Sequence, residues 1–516
     1  MSSVPSTPGV AAQPPAYPRT LTTPKIIVLI IAALTPLSVI VGTMPLGLAF
    51  GGPSTTLMFV AAGALIGLFS VGYVQMVRRI SRPGAFYSYI ARGLGRPAGV
   101  GAAMVAVVAY AFSMIALYSV QAFVTQQIIQ ATFGVDVPWQ LCFMVQLILV
   151  TVLAYRRIDL SAMVTFVVVT LELLVLLALV VAIAADKGLG AFPIEAVSPS
   201  VFNIGQWTVA FVFAILCYAG FEAGAMYAPE AKNPERTVPR ALYGALVVLT
   251  ASFALVAWAL TSVTGVEGQQ AAVSADMAGF IFTTTGHYLG AAGVWILSVL
   301  AIFAQVACAL AVTNFTSRYF NSLAKEDLLP PFLGRKNRHG SPGTAILALT
   351  GLTVAVVLGL ATVGVDPYTQ IAPVGFGLAA IGATALQAMA SGAVIAYFLR
   401  QPRSERHWWK TSLAPIIATV LLAAALYIEL ISFSYITGTD SPEMLALPWI
   451  VPVVAAFGVA FGFWLKKNRS HTYEHLAAGD TAEEADALHA QRVARRAGTA
   501  SQSCTLPPAD AVSPQK

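Results

Sequence analysis

Apolar runs long enough to cross a bilayer recur along the whole of this 516-residue chain. A bilayer's hydrocarbon core is about 30 Å thick, and a helix rising ~1.5 Å per residue crosses it in about 20 residues. Runs of that length stand near 26–48, 55–76, 98–128, 139–155, 160–184, 206–227, 241–263, 291–317, 343–364, 371–399, 412–433 and 446–465, numbered here spans 1 to 12. Lipid offers no partner to a backbone N–H or C=O, so a span must satisfy its own backbone as a helix or close into a barrel. The runs are too long and too evenly apolar for alternating barrel strands. The sequence therefore predicts an all-α integral membrane protein with 12 transmembrane helices. Composition agrees: 57% of residues are apolar and 10% are charged, against roughly 25% charged in a soluble domain. That is too little charge to cover a soluble globule.

Lys and Arg sort to the cytoplasmic side of a membrane protein. Of the 29 basic residues, all but Lys187 fall on one side of a twelve-span chain. They stand before span 1 (Arg19, Lys25), after span 2 (Arg78, Arg79, Arg82, Arg92, Arg96), after span 4 (Arg156, Arg157) and after span 6 (Lys232, Arg236, Arg240). Others follow span 8 (from Arg318 to Arg338), span 10 (Arg400 to Lys410) and span 12 (Lys466 onward). An odd number of spans would scramble this segregation. The expectation is a multi-pass protein of the cell membrane with both termini cytoplasmic. Residues 1–24, rich in Ser, Thr and Pro with no apolar signal core, read as a disordered cytoplasmic tail, and 466–516 as a second cytoplasmic tail.

Several classes of function are disfavoured. Cys142, Cys217 and Cys308 lie in apolar runs, Cys504 lies in the tail, and no CxxC occurs, so neither a disulfide framework nor a metal site is indicated. No cofactor is expected. No clustered basic face suggests nucleic acid. No GxxxxGK[ST] phosphate loop marks a primary pump. No HExxH, Ser–His or paired-Asp set lies inside the spans, and only His287 comes near one, so an enzyme is not expected.

What remains informative is where the helices break. Span 1 holds Pro36, Gly42, Pro45 and Gly47, the last three in VGTMPLGLAF (41–50). Proline cannot donate an amide and crowds the turn before it. Span 6 holds CYAGFEAG (217–224), with Gly220, Glu222 and Gly224 near mid-depth. These two spans open two groups of five, spans 1–5 and 6–10. Interrupted helices at matching positions of two halves point to a midplane binding site in inverted-repeat transporters, and a five-span offset gives the opposite orientations that such a repeat requires.

Three cytoplasmic stretches then carry a resemblance. RPGAFYSYIARGLG (82–95) is similar to P-x-G-G-x-Y-x-Y-x-x-x-x-x-G. GFEAGAMYAPEAKNPERTVPRA (220–241) is similar to G-F-[DE] followed by E-x-x-N-P-x-R-x-[IV]-P-x-[AS], and NFTSRYFNSLAKEDLLPPFL (314–333) to N-A-x-x-R followed by A-R-[DE]-G-x-L-P. In these the chain resembles bacterial amino-acid permeases of the amino acid–polyamine–organocation superfamily over about residues 25–465, departing at Ala85 and Asp327, where that family usually has glycine. The resemblance implies a LeuT-type fold: a transporter core over 25–399, with repeats at about 25–185 and 202–399, then two additional helices over 400–465.

It also implies a substrate, an amino acid or related amine. The carboxylate would meet the broken span 1, where freed N–H groups and a helix dipole suit an anion. The ammonium would meet freed carbonyls of span 6. The candidate substrate-binding residues are Gly42, Thr43, Met44, Leu46 and Gly47 on span 1, and Leu216, Cys217, Tyr218, Ala219, Gly220, Phe221 and Glu222 on span 6. The backbone of Leu216, Cys217 and Ala219 would face the amine, with Tyr218 and Phe221 as walls or gates. Aligned on Phe50, Leu46-Gly47-Leu48 stands where the family usually has Gly-Ser-Gly.

Two carboxylates inside the repeat core are the candidates for proton coupling, Glu172 in VTLELL of span 5 and Glu222. A charged side chain at a helix centre costs about 2.5–3.5 kcal/mol on insertion scales. In proton-coupled members of the family the matching span-5 position often carries a lysine. Glu172 cannot mimic that cation but can bind and release a proton, or it can be a structural acid bonded to Thr170. Glu429 of span 11 lies outside the repeat core and reads as structural. Where sodium-coupled relatives have small hydroxyl residues on span 8, this chain has Cys308 and Val312, with Thr313 adjacent. Hard cations want oxygen ligands, which disfavours sodium. Gln121, Gln305, Tyr110 and Ser113 read as interhelical contacts. The expected function is secondary transport by alternating access, with protons as a second cargo. Exchange without net proton movement is one alternative, and a non-transporting nutrient sensor is a weaker one.

Overall fold

The computed structural model describes residues 21–79, 85–156, 162–188, 192–198, 204–221, 224, 231–437 and 442–477. Helix dominates throughout, and a single isolated bridge between Leu21 and Ala231 is the only β pairing among the described residues. Ten helical stretches are long and apolar enough to cross a membrane. The first, Thr23–Arg79, holds both span 1 and span 2, which part at the turn Gly52–Ser54. With the shorter apolar helix Ile204–Leu216 of span 6, the stretches account for the twelve spans that the hydropathy pattern predicts.

Span 2 is Thr55–Arg79, span 3 Arg96–Phe133, span 4 Trp139–Arg156 and span 5 Ala162–Lys187. Span 7 is Pro234–Thr264 and span 9 Gly343–Thr362. Span 10 begins with a widened turn, Pro367–Ile371, and continues to Leu399. Span 11 begins the same way at Trp408 and ends at Ile431, and span 12 is Ile450–Asn468.

Three stretches differ from the sequence expectation. Span 8 does not begin at 291 but belongs to a helix Phe280–Lys325 that bends sharply at Gly290. Its first 10 residues and the helix Gln269–Ala275 occupy what reads as a plain loop. Ala85–Leu94, read as a signature loop, is also a helix. Each is too short to pass a bilayer-length test, so hydropathy alone does not reveal it. The last was visible by another signal: Phe86, Tyr89 and Ile90 are spaced 3 and 4 apart, and all three are buried. Phe86 and Tyr89 pack on Tyr73 of span 2, with ring centroids 5.8 and 5.4 Å apart.

The packing follows the five-span offset. Span 2 packs on span 6 as span 7 packs on span 1. Span 5 lies on span 1 as span 10 lies on span 6, and span 5 touches span 7 as span 10 touches span 2. Span 3 packs on span 10 as span 8 packs on span 5, and span 3 meets span 4 as span 8 meets span 9. Span 11 lies against spans 10 and 2, and span 12 against span 3. Spans 4 and 5 carry the exposed stripes Leu141, Val145, Ile148 and Val152, and Leu171, Leu174, Leu177 and Val181. Their 3- and 4-residue spacing makes one outward face on each helix, suited to lipid.

Candidate substrate site

Span 1 is two helices with an irregular link. The first, Thr23–Leu34, stops at Thr35, which takes a left-handed backbone (φ 36°) and closes the end by donating its N–H to the Ile31 carbonyl at 2.7 Å. The cause is local: the residue before a proline is driven out of the helical region, and Pro36 has no N–H to continue the ladder. The chain resumes at Pro36–Ser38, passes through the widened turn Val39–Thr43 and runs on as Met44–Gly51. In that widened turn Met44 N–H reaches back five residues to the Val39 carbonyl.

The break thus spans 35–43 rather than centring on 42–47. Gly42 and Thr43 lie in it, while Met44, Leu46 and Gly47 belong to the resumed helix. The reason is that Pro45 occupies the second position of that helix, where a missing N–H is tolerated. The orphan amides at a helix start are therefore those of Leu37 and Ser38, since Pro36 has none and Val39 N–H returns to the Thr35 carbonyl.

Span 6 ends its helix at Leu216, and Cys217–Gly220 is a chain of tight turns. Tyr218, Ala219 and Phe221 donate their amides to Ile215, Leu216 and Tyr218 carbonyls at 3.1, 2.9 and 3.1 Å. Gly220 has φ 99°, a backbone region closed to side-chain-bearing residues without strain. Among the described residues no hydrogen bond is made to the carbonyls of Cys217 and Ala219, which suits them to an ammonium group. Glu222 lies outside the described residues.

The two broken spans lie side by side and antiparallel, pressed close by glycines. A Cβ on Gly51 would stand 2.6 Å from the Ala210 Cβ, one on Gly47 would be 3.6 Å from the Phe213 Cβ, one on Gly220 would be 3.6 Å from Leu34, and one on Gly224 would be 2.6 Å from Ile30. At the far end Lys232 N–H donates to the Leu21 carbonyl at 3.0 Å. Residues 35–43 and 217–220 therefore face one another.

Around them the side chains divide into anchors and walls. Tyr218 is fully buried, and its hydroxyl donates to the Phe59 carbonyl of span 2 at 2.9 Å and bonds Thr250 of span 7 at 3.0 Å. That commits it to holding span 6 against spans 2 and 7. Cys217 gives its thiol to the Phe213 carbonyl at 3.0 Å. On the opposite side a Cβ on Gly42 would meet Val120 of span 3 at 2.9 Å. Tyr368 of span 10 donates to the Gly42 carbonyl at 3.0 Å, and Tyr118 of span 3 bonds Thr313 of span 8 at 3.0 Å. Hydropathy hides Val120, Tyr118 and Tyr368, because it counts apolarity along a helix and says nothing about which face turns inward. Gln121 bonds Gln146 at 2.6 Å and Thr125 bonds Gln305 at 3.1 Å, ties among spans 3, 4 and 8.

Glu172 of span 5 comes to the break of span 1. It is fully buried, and neither carboxylate oxygen has a hydrogen-bond partner among the described residues. The Leu37 amide acts on its charge. Cys308 of span 8 stands in the same group, with the hydroxyls of Thr35 and Ser38 and the Glu172 carboxyl as neighbours. Thr170 does not satisfy it, for its hydroxyl bonds back to the Phe166 carbonyl at 2.7 Å. Glu429 instead accepts from Thr384 at 2.9 Å, a contact between spans 11 and 10. Among the described residues no three His, Cys, Asp or Glu side chains gather in a way that could hold a metal ion.

A branched-chain amino acid permease of Lactococcus lactis subsp. cremoris (strain MG1363) is 24% identical over 363 residues, covering 66% of this chain and 76% of the relative. A family model described as amino acid permease matches residues 21–462, nearly the whole described chain. With its helical membrane architecture and two facing breaks, the protein belongs to the amino acid permease family.

Proposed function

We propose that the protein is a secondary active transporter of the cell membrane that carries a neutral, apolar amino acid between the breaks of spans 1 and 6, coupled to protons through Glu172. The observation that carries this reading is the meeting of the two breaks with a buried, unpartnered carboxylate beside one of them. The Leu37 and Ser38 amides would take the substrate carboxylate, and the Cys217 and Ala219 carbonyls its ammonium. Ile40, Met44, Val120 and Phe213 give the surroundings an apolar character that suits a branched aliphatic side chain, the class named for the Lactococcus relative.

The coupling follows from charge. A substrate carboxylate at the Leu37 amide would stand beside Glu172, and two like charges in a medium of low dielectric repel strongly. Substrate and a proton on Glu172 therefore favour each other's binding. With both bound the charge at the break is relieved, and with both released the site resets. Spans 1, 2, 6 and 7 would rock against spans 3, 4, 8 and 9, with both termini in the cytoplasm.

The test uses purified protein in liposomes, radiolabelled leucine, isoleucine or valine, and an imposed pH gradient. Wild type should accumulate substrate with the gradient. Glu172→Gln keeps the shape but cannot titrate, so it should lose gradient-driven accumulation while retaining counterflow, which moves no net proton. A variant that accumulates like wild type would remove Glu172 from the coupling. Wild type that shows only counterflow would make the protein an exchanger.

A further inference from the structure

Spans 3 and 8 run antiparallel, and three contacts fix their register. Phe133, the last residue of span 3, meets the ring of Trp295 nearly at right angles, with centroids 5.5 Å apart. Deeper in, the Thr125 hydroxyl donates to the Gln305 side-chain carbonyl at 3.1 Å. Deeper still, Tyr118 and Thr313 share a hydrogen bond at 3.0 Å. Thr132 stands seven residues outward of Thr125, and Ser298 stands seven residues outward of Gln305. Seven residues are close to two helical turns, so the register that brings Thr125 to Gln305 also brings Thr132 to Ser298.

The polar atoms along this seam are unspent. The Thr132 and Ser298 hydroxyls and the Gln305 amide nitrogen are buried and have no hydrogen-bond partner among the described residues. Polar side chains that only tie helices together in lipid are bonded across the interface, and these atoms are not. Gln305 leads inward: Cys308 is one turn deeper on span 8, and its neighbour is the Glu172 carboxyl, whose oxygens are also unpartnered. Unpartnered groups thus line up from the outer end of span 3 to a carboxylate at mid-depth, outside the breaks of spans 1 and 6. Of the spans packed on span 5, span 1 carries a charge only at Lys25 and span 7 only at Glu235, Arg236 and Arg240, all near their cytoplasmic ends. Span 8 has His287 before its bend and Arg318 and Lys325 toward the cytoplasm.

We propose that the seam between spans 3 and 8 is a proton entry: Thr132, Ser298 and Gln305 hold a file of water that brings protons from the outer surface to Glu172, apart from the path of the substrate. The inference rests on the transport reading and its orientation. Buried water typically makes about three hydrogen bonds to groups that are otherwise unsatisfied. A hydroxyl both accepts and donates, so Thr132 and Ser298 can take part in handing a proton on, while the Gln305 amide orients water without passing a proton itself. The proton enters at Thr132, moves from water to water and ends on a Glu172 oxygen. Between the two polar levels Ile128 and Ala301 stand opposite each other, both buried, and this turn is the narrow point of the file.

The experiment uses the full chain in liposomes, a rapid drop in pH on one side, and infrared detection of the protonated carboxyl band, assigned to Glu172 by its loss in Glu172→Gln. Two variants block the file: Ala301→Leu fills the narrow turn, and Thr132→Val with Ser298→Ala removes both hydroxyls. Each should slow the rise of the band after an outside pH drop about tenfold, the factor of a barrier raised by roughly 1.4 kcal/mol, while leucine counterflow is kept. Thr132→Ser with Ser298→Thr preserves the hydroxyls and should keep the wild-type speed. A wild-type rise in both blocked variants overturns the route, as does equal slowing in the hydroxyl-preserving variant, which would mark a packing effect. Slowing only after an inside pH drop overturns the outer assignment. A wild-type band that answers neither drop shows that Glu172 does not titrate; the coupling reading has then failed, and the route falls with it.

Discussion

Tyr218 separates two roles that a sequence cannot tell apart. An aromatic residue beside a helix break reads equally well as a substrate wall or as an anchor, and here its hydroxyl bonds Phe59 and Thr250, which gives it an anchoring contact. Tyr218→Phe would remove the donor to the Phe59 carbonyl and the partner of the Thr250 hydroxyl, at about 1–3 kcal/mol. The expected outcome is a clear drop in unfolding temperature with substrate affinity nearly unchanged, read by thermal unfolding and by the KM for uptake. A large rise in KM with unchanged stability would return Tyr218 to the substrate. Glu172 was legible as a costly residue because a carboxylate in a span demands a reason. Its surroundings were not legible, since Leu37 and Cys308 come from two other spans.

At the level of elements, hydropathy located the spans to within several residues, because the bilayer imposes one length on every crossing. Span 4, expected at 139–155, is Trp139–Arg156, and span 9, expected at 343–364, is Gly343–Thr362. The breaks were legible as breaks through Pro36, Pro45 and the glycines, yet the position within span 1 shifted. Prolines at 36 and 45 weaken the helix differently: Pro36 ends one helix, whereas Pro45 settles into the first turn of another. That difference gives a prediction. Pro36→Ala restores an N–H and relaxes the constraint on Thr35, so the helix Thr23–Leu34 can extend into the link and take up the amides of Leu37 and Ser38. Substrate affinity should fall at least tenfold, measured as KM in liposomes, while Pro45→Ala should change it little. Equal effects of the two substitutions would place the carboxylate elsewhere.

For the molecule as a whole, the sharpest expectation concerns sidedness. Lys187→Cys should react with an impermeant thiol reagent added outside intact cells, whereas Arg403→Cys and Lys466→Cys should react only after the membrane is opened. Strong outside labelling at Arg403→Cys would invert the topology. The glycine-lined pairing of the two broken spans carries a consequence at this same scale. The breaks stand opposite one another, so the pair is jointed at a single level. The pieces Met44–Gly51 and Ile204–Leu216 pack on each other through Gly47 and Gly51, and at the other end of the pair Ile30 meets Gly224 and Leu21 meets Lys232. Each end of the pair can bend while the other stays packed. Such a joint would carry no interlock of its own among the described residues, so that both mouths could open together and leak. Under the proposed alternating access, the rule that only one opens at a time would come from fasteners outside the joint. One candidate is Glu326, which accepts from Tyr87 of the helix Ala85–Leu94 and, at 3.3 Å, from the Ala477 amide; under the proposed proton coupling, a carrier cut before Ser470 would be expected to waste its gradient before it lost its fold.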